Sequence, residues 1–158
     1  PLSAAEVTIA VSLAAVTRSA MIAVISIITF MLLFEIHIVN YLTLIIFTFL
    51  SSFILGNVGI IAGLWSEKFD NMATVTNFII VPLSFLSGTF YTIDKLPSFL
   101  QTISEFNPFF YMIDGFRYSF IGNADGSITI GLIYLSILSV VTWFVTYLLY
   151  KRGYKIKS

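Results

Sequence analysis

Residues Leu86 to Arg117 read LSGTFYTIDKLPSFLQTISEFNPFFYMIDGFR. This stretch decides the fold. It is too polar to cross a bilayer and too apolar for an ordinary surface loop. It opens at the end of a hydrophobic segment and carries two Pro-marked short helices. Pro97 to about Ser104 is expected to form the first. For the second, Asn107 is a good N-cap, Pro108 a preferred first helical residue and Gly122 the stop. Between them Phe109, Met112, Ile113, Phe116 and Phe120 fall on one side, which predicts an amphipathic helix. Asp114 and Arg117 form an i, i+3 pair on it. Such a helix has too few apolar residues and too many charges to span a membrane, so both are read as re-entrant or interfacial.

The rest of the chain supplies apolar segments around this stretch. Of 158 residues, 58% are hydrophobic and 10% charged, and the mean hydropathy is +0.99. Soluble domains lie nearer ~45–50% apolar and about 25% charged. A water-soluble fold of this size could not hide so much apolar surface. Several runs also reach the ~20 residues that a bilayer-spanning helix needs. The fold class is therefore all-α, a polytopic membrane protein with four transmembrane helices and two short re-entrant or interfacial helices before the last span. The net charge is zero, so no global field points to nucleic acid or an acidic substrate. There is no cysteine, which excludes disulfides, thiolate metal sites and thiol chemistry. No secretory-signal pattern opens the chain, and a first residue Pro1 is expected of a fragment or a trimmed product.

The four spans are expected over about 15–34, 42–64, 72–90 and 129–150, in one transmembrane domain 1–158 with a cap over 91–128. Ser3 and Glu6 fit a capping box at the start of the first helix. Arg18 then falls within a turn of the end of the first window, where it reads as a cytoplasmic-side anchor snorkelling to headgroups, or as a gating or substrate contact. His37 beside Glu35 lacks further ligands at useful spacing and reads as a solvated loop histidine. In the second span Ser52, Gly56, Gly59 and Gly63 share one helix face and read as a packing seam, towards another helix of the chain or a second subunit. The turn WSEKFDN (Trp65–Asn71) places Glu67, Lys68 and Asp70 in water or against a partner. In the third span Pro82 predicts a kink, and Asn77, Ser84 and Gly88 form a polar stripe facing protein or a watery path.

The tail KRGYKIKS has four basic residues and no acidic one, so the positive-inside rule puts the C-terminus in the cytoplasm. Counting back places the cap outside, WSEKFDN inside, the Glu35–Asn40 turn outside and Pro1 inside.

The run from Leu86 to Arg117 resembles the last third of permeases of the type 2 ABC exporter family. The resemblance rests on Ser87, Gly88 and Tyr91, the Leu96-Pro97 step, Leu100-Gln101, Asn107-Pro108, Tyr111, and Asp114 with Arg117. The WSEKFDN turn and the short basic tail match as well, so that the resemblance covers essentially the whole chain. It implies a membrane subunit of six spans, here with the first two and most of the cytoplasmic coupling helix missing. It implies pairing with a second permease, homo- or heterodimeric, and with separate ATPase subunits carrying ATP and magnesium. It further implies a cap or gating motif at Gly88, Tyr91, Pro97, Asn107, Pro108, Tyr111, Asp114 and Arg117. An ATPase-docking turn at Glu67, Lys68, Phe69 and Asp70 is also expected, with a cell inner membrane location.

No Walker A motif occurs, so the chain cannot itself cradle ATP phosphates; hydrolysis would fall to a partner, and no cofactor is expected in this chain. An intramembrane enzyme would need an acidic pair, a histidine–metal cluster or a nucleophile with its base at membrane depth, and none is present. No catalytic or metal-ligating residue is therefore assigned. A passive channel or membrane scaffold is the competing reading. The expected substrate is amphipathic: a drug, lipid or saccharide.

Overall fold

The computed structural model describes residues 3–34, 36–66, 69–89 and 97–153, without the side chains of 69–71. Tyr91, Glu67 and Lys68 lie outside the described residues, as does the tail from residue 154. The described residues form α1 (Ala4–Phe34), α2 (Tyr41–Trp65), α3 (Phe69–Val75), a π-helical stretch (Thr76–Ile80), α4 (Val81–Phe85), α5 (Ser98–Glu105), α6 (Pro108–Ile121) and α7 (Ile128–Lys151). Among them α1, α2 and α7 are long and apolar enough to cross a membrane. With the shorter apolar helix Met72–Phe85, this is a polytopic all-α membrane protein.

Local chemistry sets the helix ends. At the start of α1, the Ser3 N–H donates to Glu6 Oε2 (2.7 Å) and the Glu6 N–H to Ser3 Oγ (3.3 Å), so the capping box forms. The two hydrogen bonds from Ser3, backbone first and then hydroxyl, hold the Glu6 carboxyl below its usual range. A depressed carboxyl contributes stability above its unfolded value and loses it as pH falls through its folded value. Protection of the first-turn amides of α1, taken relative to intrinsic exchange at the same pH, is therefore expected to fall under acid below about pH 4.5, the ordinary value. Glu6→Gln should remove that pH dependence. Asn40 caps α2 through Thr43 N (3.1 Å), and Ser127 caps α7 through Ile130 N (3.4 Å).

α2 is the centre of the bundle, packing against α1, α6 and α7. Phe47, Leu50 and Ile54 of α2 join Met112 of α6 and Leu135 of α7 in the buried core. Around this small core the usual burial pattern is inverted. Thr8, Ser12, Asn57 and Thr146 are fully buried. Leu32 and Phe78 are 80% and 77% exposed. Lipid solvates apolar side chains as well as a protein interior does, so small and hydrogen-bonded residues take the helix contacts. The Ser12 hydroxyl stands 2.7 Å from the Thr8 carbonyl and 3.1 Å from Asn57 Oδ1, linking α1 to α2. Asn57 Nδ2 donates to the Phe53 carbonyl at 2.8 Å, so both ends of this buried amide are satisfied.

The third apolar segment departs from expectation. Its helix ends at Phe85 rather than near Phe90, and Leu86–Gly88 form a turn with Gly88 at φ +78°. That left-handed backbone suits glycine and stops the helix. Val75, Ile80 and Val81 all keep right-handed helical backbone, so the helix is continuous into α4 and Pro82 stands inside it, with the π-helical stretch in the turn just before the N–H that Pro82 lacks. A π turn accommodates one extra residue, which rotates the later residues by about 100° around the axis. The polar stripe is broken accordingly: Asn77 is exposed, Ser84 half-buried and Gly88 buried. The run touches the rest of the described fold in two places, α3 against α2 and α4 against α6.

Candidate functional site

The C-terminal end of α4 leaves carbonyls with no partner inside the helix, as every helix end does. Three side chains of the cap supply the partners. Asn107 Nδ2 donates to the Leu83 carbonyl at 2.6 Å. The Ser104 hydroxyl donates to the Leu86 carbonyl at 3.0 Å. Arg117 Nη2 donates to the Gly88 carbonyl at 2.6 Å. Asn107 also caps α6, its Oδ1 accepting from Phe109 N (3.0 Å), and Pro108 follows at the first helical position. One buried amide therefore starts the cap helix and holds the end of the third segment.

The second half of the clamp is ionic. Asp114 is buried (2% exposed) and accepts the backbone N–H groups of Asp125 (2.7 Å) and Gly126 (2.9 Å). Its distance to Arg117 is 3.6 Å, so the i, i+3 pair forms, but loosely. Arg117 makes its close ion pair with Asp125. Asp125 had no place in the sequence reading, because it sits eight residues on, beyond the helix stop at Gly122. The arginine thus joins α6, the 122–127 loop and the end of α4. Gly126 allows this fold-back: a Cβ there would meet the Phe110 ring at 3.0 Å.

Tyr111 packs over Gly131 and lies tilted against Tyr134 (ring centroids 5.1 Å apart), whose hydroxyl donates to the Phe106 carbonyl at 2.8 Å. Burial first, then the nearby Glu105, Tyr134 and Asp114, raises the Tyr111 phenol above its ordinary value. Pro97 caps α5 without a side-chain bond. The loop before α2 docks on the other end of α6, where Val39 N and Asn40 N both donate to the Ser119 carbonyl (2.9 and 3.0 Å).

The buried residues of α6 match the expected face only in part. Phe110 and Asp114 are buried on another side of the helix, Asp114 against the 122–127 loop. Met112, which the expected face contained, is buried in the core beside Gly115 and Ser119, with Phe109 packed against it. Phe116 and Phe120, about a quarter turn away on the helix, line an apolar cavity of about 610 Å³ with Ile27, Phe30 and Leu44. His37 is exposed and stands at this cavity.

The seam on α2 is divided. A Cβ on Gly56 would lie 2.6 Å from Ala15 Cβ, so α1 packs there; Cβ atoms on Gly59 and Gly63 would meet nothing within 4 Å. Ser52 and Arg18 line one cavity with Gly56. Because α1 already runs from Ala4 and lies antiparallel to α2, Arg18 stands level with the middle of α2. Of the expected docking turn, Phe69 and Asp70 open α3.

A family model described as ABC-2 type transporter matches residues 1–121. The chain belongs to the ABC-2 type transporter family. Among curated relatives, the inner membrane transport permease YadH of Escherichia coli K12 is 35% identical over 100 residues, 63% of this chain and 39% of that protein. YadH of Shigella flexneri matches equally. Nodulation protein J of Rhizobium leguminosarum is 27% identical over 96 residues, 61% of this chain and 37% of that protein. In these matches the chain spans about two fifths of the length of its relatives. No solved structure matches this ABC-2 chain. Sequence reasoning missed Asn57, Ser104 and Asp125. Asn57 had a signal, being an amide inside an apolar span. The other two had none: Ser104 bonds a backbone carbonyl distant in sequence, and Asp125 meets Arg117 and Asp114 across the helix stop at Gly122.

Proposed function

We propose that this chain is part of the membrane-spanning permease subunit of an ATP-driven exporter, moving an amphipathic substrate out of the cytoplasm. ATP and magnesium are held by a separate ABC ATPase. A second permease subunit, identical or related, completes the pathway in the cell inner membrane, with the C-terminus cytoplasmic. The observation that carries this reading is the family match over residues 1–121. The clamp on α4 gives it a mechanical form. Asn107, Ser104 and Arg117 tie the cap to the end of the third segment. That segment has few other contacts and a π-helical stretch at its middle, so it can tilt as a lever. In this mechanism the ATPase pushes on the turn at Glu67, Lys68, Phe69 and Asp70, and the cap end moves with it.

The test is co-purification from membranes in mild detergent, using the full-length protein. A stoichiometric Walker-motif ATPase is expected. Reversing Glu67 and Asp70 to lysine should reduce ATPase stimulation and transport several-fold. A chain that arrives alone would favour a channel or scaffold. Unchanged stimulation in the reversed variant would remove the docking role from this turn.

A further inference from the structure

The Arg18 guanidinium has no hydrogen-bond or ion-pair partner among the described residues. It lines a cavity of about 440 Å³ between α1 and α2, together with Ala14, Ala15, Ser19, Ser51, Ser52 and Gly56. Ser51 is 8% exposed, and its buried hydroxyl also lacks a partner. An uncompensated cation beside an unsatisfied hydroxyl, level with the middle of the apolar helix α2, is costly in an apolar surrounding, and such groups mark functional sites. The carboxylates described elsewhere do not reach it. Glu6 is bound to Ser3, Asp114 and Asp125 are held in the cap, and Glu105 lines a different cavity.

We propose that this cavity receives the oxyanion of an anionic amphiphile, a phosphate or a carboxylate, paired with Arg18. The polar lining is a set of donors: one guanidinium and the hydroxyls of Ser19, Ser51 and Ser52, with no acidic side chain among them. A guanidinium binds a phosphate or carboxylate through two parallel N–H bonds, and the remaining oxygens can accept from hydroxyls. The small side chains of Ala14 and Ser19 line the cavity without filling it. Val11 and Leu55, both at the rim, are 38% exposed and offer an apolar path for the tail. A carboxylate on another protein helix would satisfy the cation but leaves the hydroxyl-lined space unexplained. The inference names the headgroup chemistry of the amphipathic substrate and rests on that reading. Its test needs no ATPase, so it can fail while the co-purification succeeds, and the reverse.

The full-length protein would be placed in phosphatidylcholine nanodiscs containing a few per cent of phosphatidic acid or of oleate. Retained lipid would be measured by native mass spectrometry. Wild type is expected to retain at least one of the two anions about tenfold over phosphatidylcholine. Retention of both assigns any oxyanion, and retention of phosphatidic acid alone assigns phosphate. Arg18→Gln should abolish the preference. Ser51→Val, which keeps the cation and removes the hydroxyl, should weaken it several-fold, and Arg152→Gln at the end of α7 should leave it unchanged. Equal retention by wild type and Arg18→Gln would overturn the proposal. So would an Arg18→Gln protein that keeps the lipid preference but loses its second subunit, because Arg18 would then pair with a carboxylate of another helix.

Discussion

Replacing Asp114 with alanine is expected to cost about 3–5 kcal/mol, the range for removing one partner from a buried charged network. Two backbone N–H groups, of Asp125 and Gly126, would lose their acceptor. Each buried donor left unsatisfied costs about 1–3 kcal/mol. The 122–127 loop would detach from α6, and Asp125 would no longer be presented to Arg117. Thermal unfolding in detergent should show the loss, and limited proteolysis should find a new cleavage site within that loop. Asp114→Asn retains one acceptor oxygen and should lose about half as much. Arg117→Ala spares the loop bonds to Asp114 but frees the Gly88 carbonyl. It should therefore impair the proposed transport while assembly survives, which separates the lever from the loop anchor. If Asp114→Ala melts and exports as wild type does, the clamp has no role in the cap.

Gly115→Ala is the second large effect. A Cβ at Gly115 would collide with the ring of Phe47, which is fully buried in the core. Both neighbours are constrained: the ring by α6 and α7, the α6 backbone by its bond network. Overpacking of this kind costs about 1–3 kcal/mol, and the closeness of the clash puts Gly115 at the upper end. Phe47→Leu vacates ring volume and should restore part of the loss in the double variant. Chemical unfolding of the four proteins in a double-mutant cycle would measure a coupling of roughly 1 kcal/mol or more. Additive losses would mean that the backbone shifts apart instead. Gly59→Ala and Gly63→Ala supply the contrast. Open space surrounds both positions, so alanine should stabilise the helix of the isolated chain by up to about 1 kcal/mol.

The physical origin of both effects is the same inversion. In water, apolar side chains are driven inward, and a periodic pattern reveals the buried face. In a bilayer that drive is absent between helices, and contacts form where residues are small or can hydrogen-bond. The apolar face read on α6 therefore shares Met112 with the core but missed Gly115 and Ser119 beside it and Asp114 on another side. The same reasoning explains Arg18. Its distance from one end of a hydropathy window says little about depth when α1 has 31 residues and its neighbour α2 fixes the register.

By itself the sequence determined the class and those helix ends that a local cap or stop marks. Hydrophobic runs, the Ser3–Glu6 box, Asn107-Pro108 and the stop at Gly122 act within a few residues of themselves, so their consequences are local and readable. It also contained the motif order by which the family is known. The tertiary structure alone decided what each polar group holds. Asn107 reaches Leu83, Ser104 reaches Leu86, Arg117 reaches Gly88 and Asp125, and Ser12 reaches Asn57. Several of these acceptors are backbone carbonyls, which every residue possesses and no sequence pattern marks. The π-helical stretch before Pro82 belongs with them, because one extra residue in a turn becomes visible only once both ends of the helix are held.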